Sequence, residues 1–156
     1  MKIYYLIIAA AFVMDQLSKF LIKNSLEMYE KIRVIDDFFY ITYVENDGAA
    51  WSLLRGARWF FVSVTIILII FIYIYMRRNK NRLLRTSAAL IIGGGLGNLI
   101  DRIISGRVVD FIDMYFFGYD YPVYNLSDSF TVIGTILLGL YIIRLEGAKR
   151  NDTQST

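Results

Sequence analysis

The chain has no histidine, no cysteine and a single proline in 156 residues. A Ser-His or Cys-His nucleophile requires an imidazole, and a catalytic zinc site normally uses His or Cys ligands, so the composition excludes both kinds of site. Without cysteine no disulfide can form. Hydrolytic chemistry in this chain would therefore use carboxylates or a Ser-Lys pair, and we expect neither a metal ion nor a cofactor.

Apolar residues dominate what is present. The chain is 56% hydrophobic and 16% aromatic, which is too apolar for an ordinary soluble domain of this size. Four apolar runs are each long enough to cross a bilayer as a helix, which takes about 20 residues. The sequence therefore predicts four transmembrane helices, at residues 3–22, 59–76, 87–104 and 126–143.

Lysine and arginine predict the orientation of these spans. The segment from Arg77 to Arg85 carries five positive charges in nine residues, and further basic residues follow the fourth span. Such clusters favour the cytoplasmic side, so both termini are expected inside and the long connections 23–58 and 105–125 outside. Because the basic residues lie beside apolar runs, a membrane surface explains them better than nucleic acid does.

A cleaved signal peptide is an alternative explanation of the N-terminus, because Lys2 precedes an apolar stretch that contains Ala9, Ala10 and Ala11. A cut after these alanines would leave a very short hydrophobic region. The apolar pattern also resumes at Phe20, beyond a polar cluster, so a retained transmembrane helix is the better interpretation.

Charged residues inside the spans lie at similar depths. Counted at about 1.5 Å per residue from the cytoplasmic end of each span, Asp15 lies about 18 Å up, and Asp101 and Asp128 each lie about 24 Å up. Ionisable groups at such positions usually face the bundle interior or a wet cleft and serve a function. Asp15 and Lys19 are four residues apart on one helix face, so this pair has either a structural or a substrate-contacting role.

Two further features occur in the third and fourth spans. Asn98, Asp101 and Arg102 share one helix face, and the glycines at 93–97 would let another helix approach closely or would accept a guest helix. Near the start of the fourth span, Asn125 or Ser127 would serve as N-cap, and Asp128 in the first turn would suit the helix dipole, so each of the three has a structural explanation. Asp110, in an apolar-flanked segment after the third span, has no such structural explanation.

The outer connections are rich in residues that favour β-structure. Residues 31–44 are β-branched and aromatic, and a turn signal follows at 45–48. We predict a small sheet there, lying on the headgroups, and a short interfacial helix from Ala49 to Gly56. Segment 114–124 is aromatic and contains Gly118, which is typical of a lid or an interfacial anchor.

The predicted fold class is an all-α membrane protein, with four transmembrane helices, a small extracellular β-sheet platform and a short interfacial helix. Residues 1–150 are expected to form a single integral membrane domain that includes the outer β-rich loop at 23–58. Residues 151–156 are expected to be a disordered tail.

Five short motifs occur in order along nearly the whole chain. They are Asp15-Gln16-Leu17-Ser18-Lys19, Asn46-Asp47-Gly48-Ala49-Ala50, Gly94-Gly95-Leu96-Gly97-Asn98-Leu99-Ile100-Asp101-Arg102, Val108-Val109-Asp110-Phe111 and Asn125-Leu126-Ser127-Asp128. In this order they resemble the motifs of lipoprotein signal peptidase, also called signal peptidase II, the aspartyl endopeptidase of bacterial membranes. The last motif departs from the family's pattern at Ser127, where alanine is usual, and at Tyr124, where Phe or Trp is usual.

The resemblance implies that Asp110 and Asp128 form a catalytic dyad. It also implies a bacterial plasma membrane location, a prolipoprotein substrate whose cysteine carries a diacylglyceryl group, contact with membrane lipid, and inhibition by the cyclic peptide globomycin. Cleavage would fall just before the lipidated cysteine. The residues that the resemblance implies as lining or stabilising the site are Asp15, Lys19, Asn46, Gly48, Asn98, Asp101, Arg102 and Asn125.

Two carboxyl groups that share a site cannot both ionise at low free-energy cost, so one would act as general base on a water while the other acts as general acid. Asn46 and Arg102 would hold backbone carbonyls of the substrate or shape the platform that covers it.

Two other functions fit parts of the pattern. One is a small ion- or proton-coupled transporter with a charged relay, and the other is an assembly protein that binds helices on the glycine face.

Overall fold

The computed structural model describes residues 1–48 and 53–154 of the chain, with side chains through residue 145. It contains four long helices and one antiparallel four-stranded sheet. The helices are α1 (Lys2–Ser25), α2 (Arg58–Arg78), α3 (Arg82–Ile104) and α4 (Leu126–Gln154), and the strands are β1 (Lys31–Ile35), β2 (Phe39–Asn46), β3 (Val108–Phe116) and β4 (Tyr119–Asp120).

Each predicted span lies within one of these helices, and all four helices are long and apolar enough to cross a membrane. The prediction of a multi-pass membrane protein with a small sheet is therefore confirmed. α3 begins five residues before the predicted span because Asn81 caps it, its side-chain oxygen accepting bonds from Leu83 N at 2.9 Å and Leu84 N at 3.2 Å. We call the end of the bundle that carries the sheet the sheet end.

α3 is the central helix and packs against each of the other three. Its glycines allow this because successive ones face different neighbours. A Cβ added to Gly93 would lie 2.7 Å from a side-chain carbon of α1, and one added to Gly94 would overlap the backbone oxygen of Ser127 in α4. Gly95 faces Ile69 of α2 at an ordinary contact distance of 3.4 Å. The glycine face is therefore occupied by the chain's own helices.

The sheet lies across the sheet end in the order β1-β2-β3-β4. It includes the predicted segment 31–44, but half of it comes from residues after α3. β3 pairs antiparallel with β2, with Asp110 opposite Val44. Phe117 and Gly118, with φ of 51° and 79°, form the tight turn from β3 to β4. Segment 114–124, predicted as a lid or an anchor, is thus largely strand and hairpin.

Two local predictions fall at the margins of the described residues. Residues 49–52 of the predicted interfacial helix lie outside the described residues, and residues 53–56 form turns. Residues 151–154 of the predicted tail are the last residues of α4. Residues 155–156 lie outside the described part.

The close contact at Gly94 yields a first prediction. Gly94→Ala should lower the free energy of unfolding by about 1–3 kcal/mol, because the methyl group would overlap the α4 backbone and force α3 and α4 apart. Gly139→Ala is the matched control, since a Cβ there meets no atom within 4 Å, and it should be neutral or stabilising by up to about 1 kcal/mol. Thermal unfolding in detergent micelles measures both, and equal melting temperatures for the two variants would contradict this packing.

Candidate active site

Asp110 lies in β3, where the sheet meets the helices, and its side chain is almost completely buried. Two amides hold its carboxylate. Asn46, at the end of β2, donates to Oδ2 at 3.0 Å, and Asn125 donates to Oδ1 at 2.6 Å. The antiparallel pairing of β2 with β3 brings Asn46 and Asp110 together although 64 residues separate them.

Asp128 lies in the first turn of α4 and forms a reciprocal cap with Asn125. The backbone N–H of Asp128 donates to Asn125 Oδ1 at 3.0 Å, and the backbone N–H of Asn125 donates to Asp128 Oδ2 at 3.2 Å. The remaining oxygen, Oδ1, accepts a bond from Asn98 Nδ2 of α3 at 2.7 Å. The cap expected from the sequence is thus Asn125, and it leaves one oxygen of Asp128 facing the other polar residues.

Asn125 connects the two acids. Its side-chain nitrogen bonds Asp110, while its side-chain oxygen bonds the backbone of Asp128. The preceding residue, Tyr124, fixes its position, because its backbone oxygen accepts bonds from Phe111 N at 3.0 Å and Ile112 N at 2.8 Å. The structure therefore brings the two predicted acids to opposite ends of one buried amide.

Lys19 neutralises two further acids at the sheet end. Its ammonium lies 2.7 Å from Asp15 Oδ2, 2.7 Å from Asp101 Oδ2 and 2.9 Å from Asn98 Oδ1. These acceptors match the three donors of an ammonium group. Because Asn98 also contacts Asp128, the Lys19 cluster continues into the two central acids. The i, i+4 pair predicted on α1 is present, and Asp101 completes it.

Asp15 reaches across to α4, a contact that the sequence did not indicate. Its Oδ1 accepts a bond from Ser127 N at 2.8 Å. Sequence reasoning also missed Gln16, whose side-chain nitrogen donates to Asp101 Oδ1 at 3.0 Å. Gln16 directly follows Asp15 and lies at nearly the same depth in the span. That position could have indicated that Gln16 belongs to the same polar layer.

Arg102 and Asn46 fix the chain that leaves β2. Arg102 Nη2 donates to the backbone oxygen of Gly48 at 3.0 Å, and its guanidinium lies 4.9 Å from the ring centre of Phe61 in α2. Asn46 Oδ1 accepts a bond from Gly48 N at 2.9 Å. Of the two roles considered for Arg102 and Asn46, these contacts match the shaping of the platform.

The Asp110 carboxyl binds its proton more tightly than an ordinary aspartate does. Burial and, secondly, the negative charge of Asp128 raise the pKa of Asp110 to about 7, against the opposing effect of the bonds from Asn46 and Asn125. An exposed aspartate titrates near pH 4. This acid therefore retains a proton up to about pH 7, where an exposed aspartate is fully ionised.

Three cavities reach the two acids. A polar one of about 390 Å³ is lined by Asp110 and Asn46 and also by the charged residues Glu45, Arg55 and Asp120. An apolar one of about 440 Å³ lies between the β3–β4 hairpin and α4 and reaches Asp128. A crevice of about 210 Å³ between α2 and α4 runs over Gly95 to Asp128. Asp110 thus faces a polar space, whereas Asp128 borders two apolar ones.

The described residues contain no group of three or more carboxylates that could hold a metal ion. Where Asp15 and Asp101 converge, Lys19 already occupies the position that a cation would take.

Removing the central cation yields a second prediction. Lys19→Met should lower the free energy of unfolding by about 3–5 kcal/mol, because it leaves Asp15 and Asp101 buried without a counter-charge. Lys23→Met, one turn further along the same helix at a half-exposed position, should change it by less than about 0.5 kcal/mol. Thermal unfolding separates the two variants, and a Lys19→Met protein as stable as Lys23→Met would show that the Lys19 cluster is not ionised.

Comparisons with known proteins agree with this geometry. Residues 7–144 match the family described as Signal peptidase (SPase) II. A bacterial membrane enzyme solved by the in meso method at 2.3 Å resolution is 36% identical, with a TM-score of 0.86 over 92% of this chain and 89% of that chain. A second such structure, at 1.9 Å resolution, is also 36% identical, with a TM-score of 0.83 over 91% of this chain and 93% of the other.

Proposed function

Because the chain belongs to the signal peptidase II family, we propose that it is an aspartic endopeptidase that removes the signal peptide from diacylglyceryl-modified prolipoproteins, cutting just before the lipidated cysteine. One observation carries the proposal. Asp110 is buried, Asp128 is partly buried, both contact Asn125, and Asp110 borders a polar cavity while Asp128 borders an apolar one, so the site lies between polar and apolar space. A peptide bond next to a lipid anchor requires such a junction.

In this proposal the dyad acts as a general acid–base pair. The ionised member takes a proton from a water as that water attacks the scissile carbonyl, and the protonated member donates to the carbonyl oxygen. The roles then exchange as the amine leaves. Because the two acids interact, their titration belongs to the pair and not to one residue.

The surrounding residues position the pair. Asn98 accepts a bond from Lys19 and donates one to Asp128. The Lys19 cluster therefore fixes the positions of α1 and α3 along their axes relative to the start of α4. Arg102 acts on the chain after β2 through Gly48. These residues, with Asn46 and Asn125, hold the two carboxylates before substrate arrives, which reduces the reorganisation needed in the transition state.

In this proposal the crevice between α2 and α4 contacts one face of the signal helix of the substrate. It leads directly to Asp128, and its α2 wall includes the aliphatic side chains of Leu68 and Ile72. The polar cavity beside Asp110 would then take the chain that continues into water. The substrate enters from the bilayer by lateral diffusion.

The proposed setting is the bacterial plasma membrane, with both termini in the cytoplasm and the dyad at the outer leaflet interface. The basic segment from Arg77 to Arg85 lies at the opposite end from the sheet, as this orientation requires. A globomycin-type cyclic peptide would compete with substrate at the dyad. A transporter is less well supported, because the described residues buried away from the sheet end, such as those around Met76, Ala88 and Ile92, include no Asp, Glu, Lys or Arg that could form a relay.

The dyad yields a third prediction. Asp110→Asn and Asp128→Asn should each abolish cleavage of a diacylglyceryl-modified precursor by the purified protein, because an amide cannot exchange a proton as a carboxyl group does. Asp36→Asn, at an exposed carboxylate in the turn between β1 and β2, is the matched control and should cleave like wild type. Cleavage is followed by gel shift, with and without globomycin, and with an unlipidated precursor. Substantial activity in either dyad variant with intact helical circular dichroism would refute the proposal.

The raised pKa of Asp110 yields a fourth prediction. Below about pH 7 one of the two carboxyl groups is protonated and can act as the general acid. Above about pH 7 this proton is lost, and both carboxyl groups are ionised. The turnover rate should therefore fall on the alkaline side of neutrality, approaching about tenfold per pH unit for a single ionisation. Initial rates in buffered micelles measure the profile, and a rate that keeps rising well above neutral pH would contradict it.

A further inference from the structure

The apolar cavity beside α4 has walls of one chemical kind. On the sheet side it is lined by the rings of Phe116, Tyr121 and Tyr124, and on the helix side by Val132 and Ile133. Its volume of about 440 Å³ lies within the usual range of ligand sites, about 300–1,000 Å³. The cavity is therefore large enough for a bound group and lined almost entirely by hydrocarbon.

The rings form a continuous wall. The centres of Phe116 and Tyr121 are 6.2 Å apart and those of Tyr121 and Tyr124 are 5.8 Å apart, both in edge-to-face arrangement. The Tyr124 hydroxyl is already engaged with the sulfur of Met114 at 2.9 Å. This aromatic wall ends at Tyr124, directly before Asn125 and the two acids.

The mouth of the cavity opens toward lipid. Val132 is 57% exposed and Ile133 is 48% exposed on a helix that crosses the membrane, so the bilayer is their surroundings. Ile136, at 59%, continues the same stripe one turn further from the sheet end but does not line the cavity. A hydrocarbon chain in the bilayer can therefore enter sideways between α4 and the hairpin.

The polar groups of the cavity lie at its inner end. They belong to Asp128 and to Ser129, whose hydroxyl donates to the backbone oxygen of Asn125 at 3.0 Å. No basic side chain lines the described wall, and Asp128 would repel a phosphate. Sugars and anionic headgroups are therefore poor occupants, and an aliphatic chain attached to the group that reacts at Asp128 is a good one.

We propose that this cavity holds one acyl chain of the lipid carried by the substrate, which deepens the proposed function and rests on it. A chain that leaves bilayer lipid for an apolar cavity gains little hydrophobic free energy, because lipid is equally apolar. The cavity therefore acts through position. It holds the lipidated cysteine at a fixed distance from Asp128 while the signal helix occupies the crevice on the other side of α4.

Filling the mouth tests this inference. Val132→Trp places a large ring at the entrance, and Ile136→Trp places the same ring on the same exposed stripe outside the cavity. Each protein is assayed with two synthetic precursors that differ only in the lipid, one with two palmitoyl chains and one with two butyryl chains. The readout is the ratio of kcat/KM for the long-chain precursor to kcat/KM for the short-chain precursor.

Val132→Trp should lower this ratio about tenfold or more relative to wild type, because a displaced chain moves the scissile bond out of register. Ile136→Trp should keep the wild-type ratio. An unchanged ratio in Val132→Trp, or an equal fall in both variants, would overturn the acyl site. Failure of the wild-type protein to cleave either precursor would instead overturn the proposed function.

A second measurement does not depend on turnover. The palmitoyl precursor with a photoreactive group at the chain end is bound to Asp128→Asn, irradiated and mapped by mass spectrometry. Cross-links to the 116–124 segment or to Val132 and Ile133 support the site. Cross-links confined to α1, or spread evenly over all lipid-facing helices, overturn it.

Discussion

The site depends on two hydrogen bonds made by the side-chain amide of Asn125. One amide caps α4 and so fixes Asp128, and the same amide donates to Asp110 on the neighbouring strand. A cap is normally worth about 1 kcal/mol of helix stability. Here the same side chain also connects two acids that lie on different elements, Asp110 on β3 and Asp128 on α4. A shift of the helix start relative to β3 would break the bond to Asp110 and leave the cap intact, so the site depends on the position of α4 against the sheet.

The charge balance at the sheet end explains why these contacts are needed. Apart from Asp113, which is paired with Lys31 on the sheet, four buried or partly buried carboxylates share two cations, Lys19 and Arg102, in surroundings where unpaired charge is costly. Lys19 lies between two of the acids, and Arg102 contacts backbone and an aromatic ring. The excess negative charge favours retention of one proton, which agrees with the raised pKa of Asp110. The four carboxylates are Asp15, Asp101, Asp110 and Asp128.

Sequence periodicity and charge predicted the helices and the depth of the polar layer, because a membrane constrains both strongly. The role of β3 was not predicted. Val108 and Val109 have high β propensity, but the partner strand is more than 60 residues away, and no local pattern specifies that register. Sequence motifs named Asp110 and Asp128 through resemblance, whereas their connection through one amide required coordinates. The contact of Asp15 with the α4 backbone was likewise invisible, since a backbone N–H has no sequence signature.

In the proposed function, the position of Asp110 and Asp128 reflects two requirements that conflict. Hydrolysis needs water and ionised groups, whereas a lipid-anchored substrate stays where water is scarce. The chain meets both by building the two acids on different kinds of element. Asp110 lies on a sheet that borders a polar cavity, and Asp128 lies on a membrane-crossing helix that borders apolar ones. The reactive centre can then lie at the boundary between water and lipid. Water does not have to enter the bilayer core, and the lipid anchor of the substrate does not have to leave it.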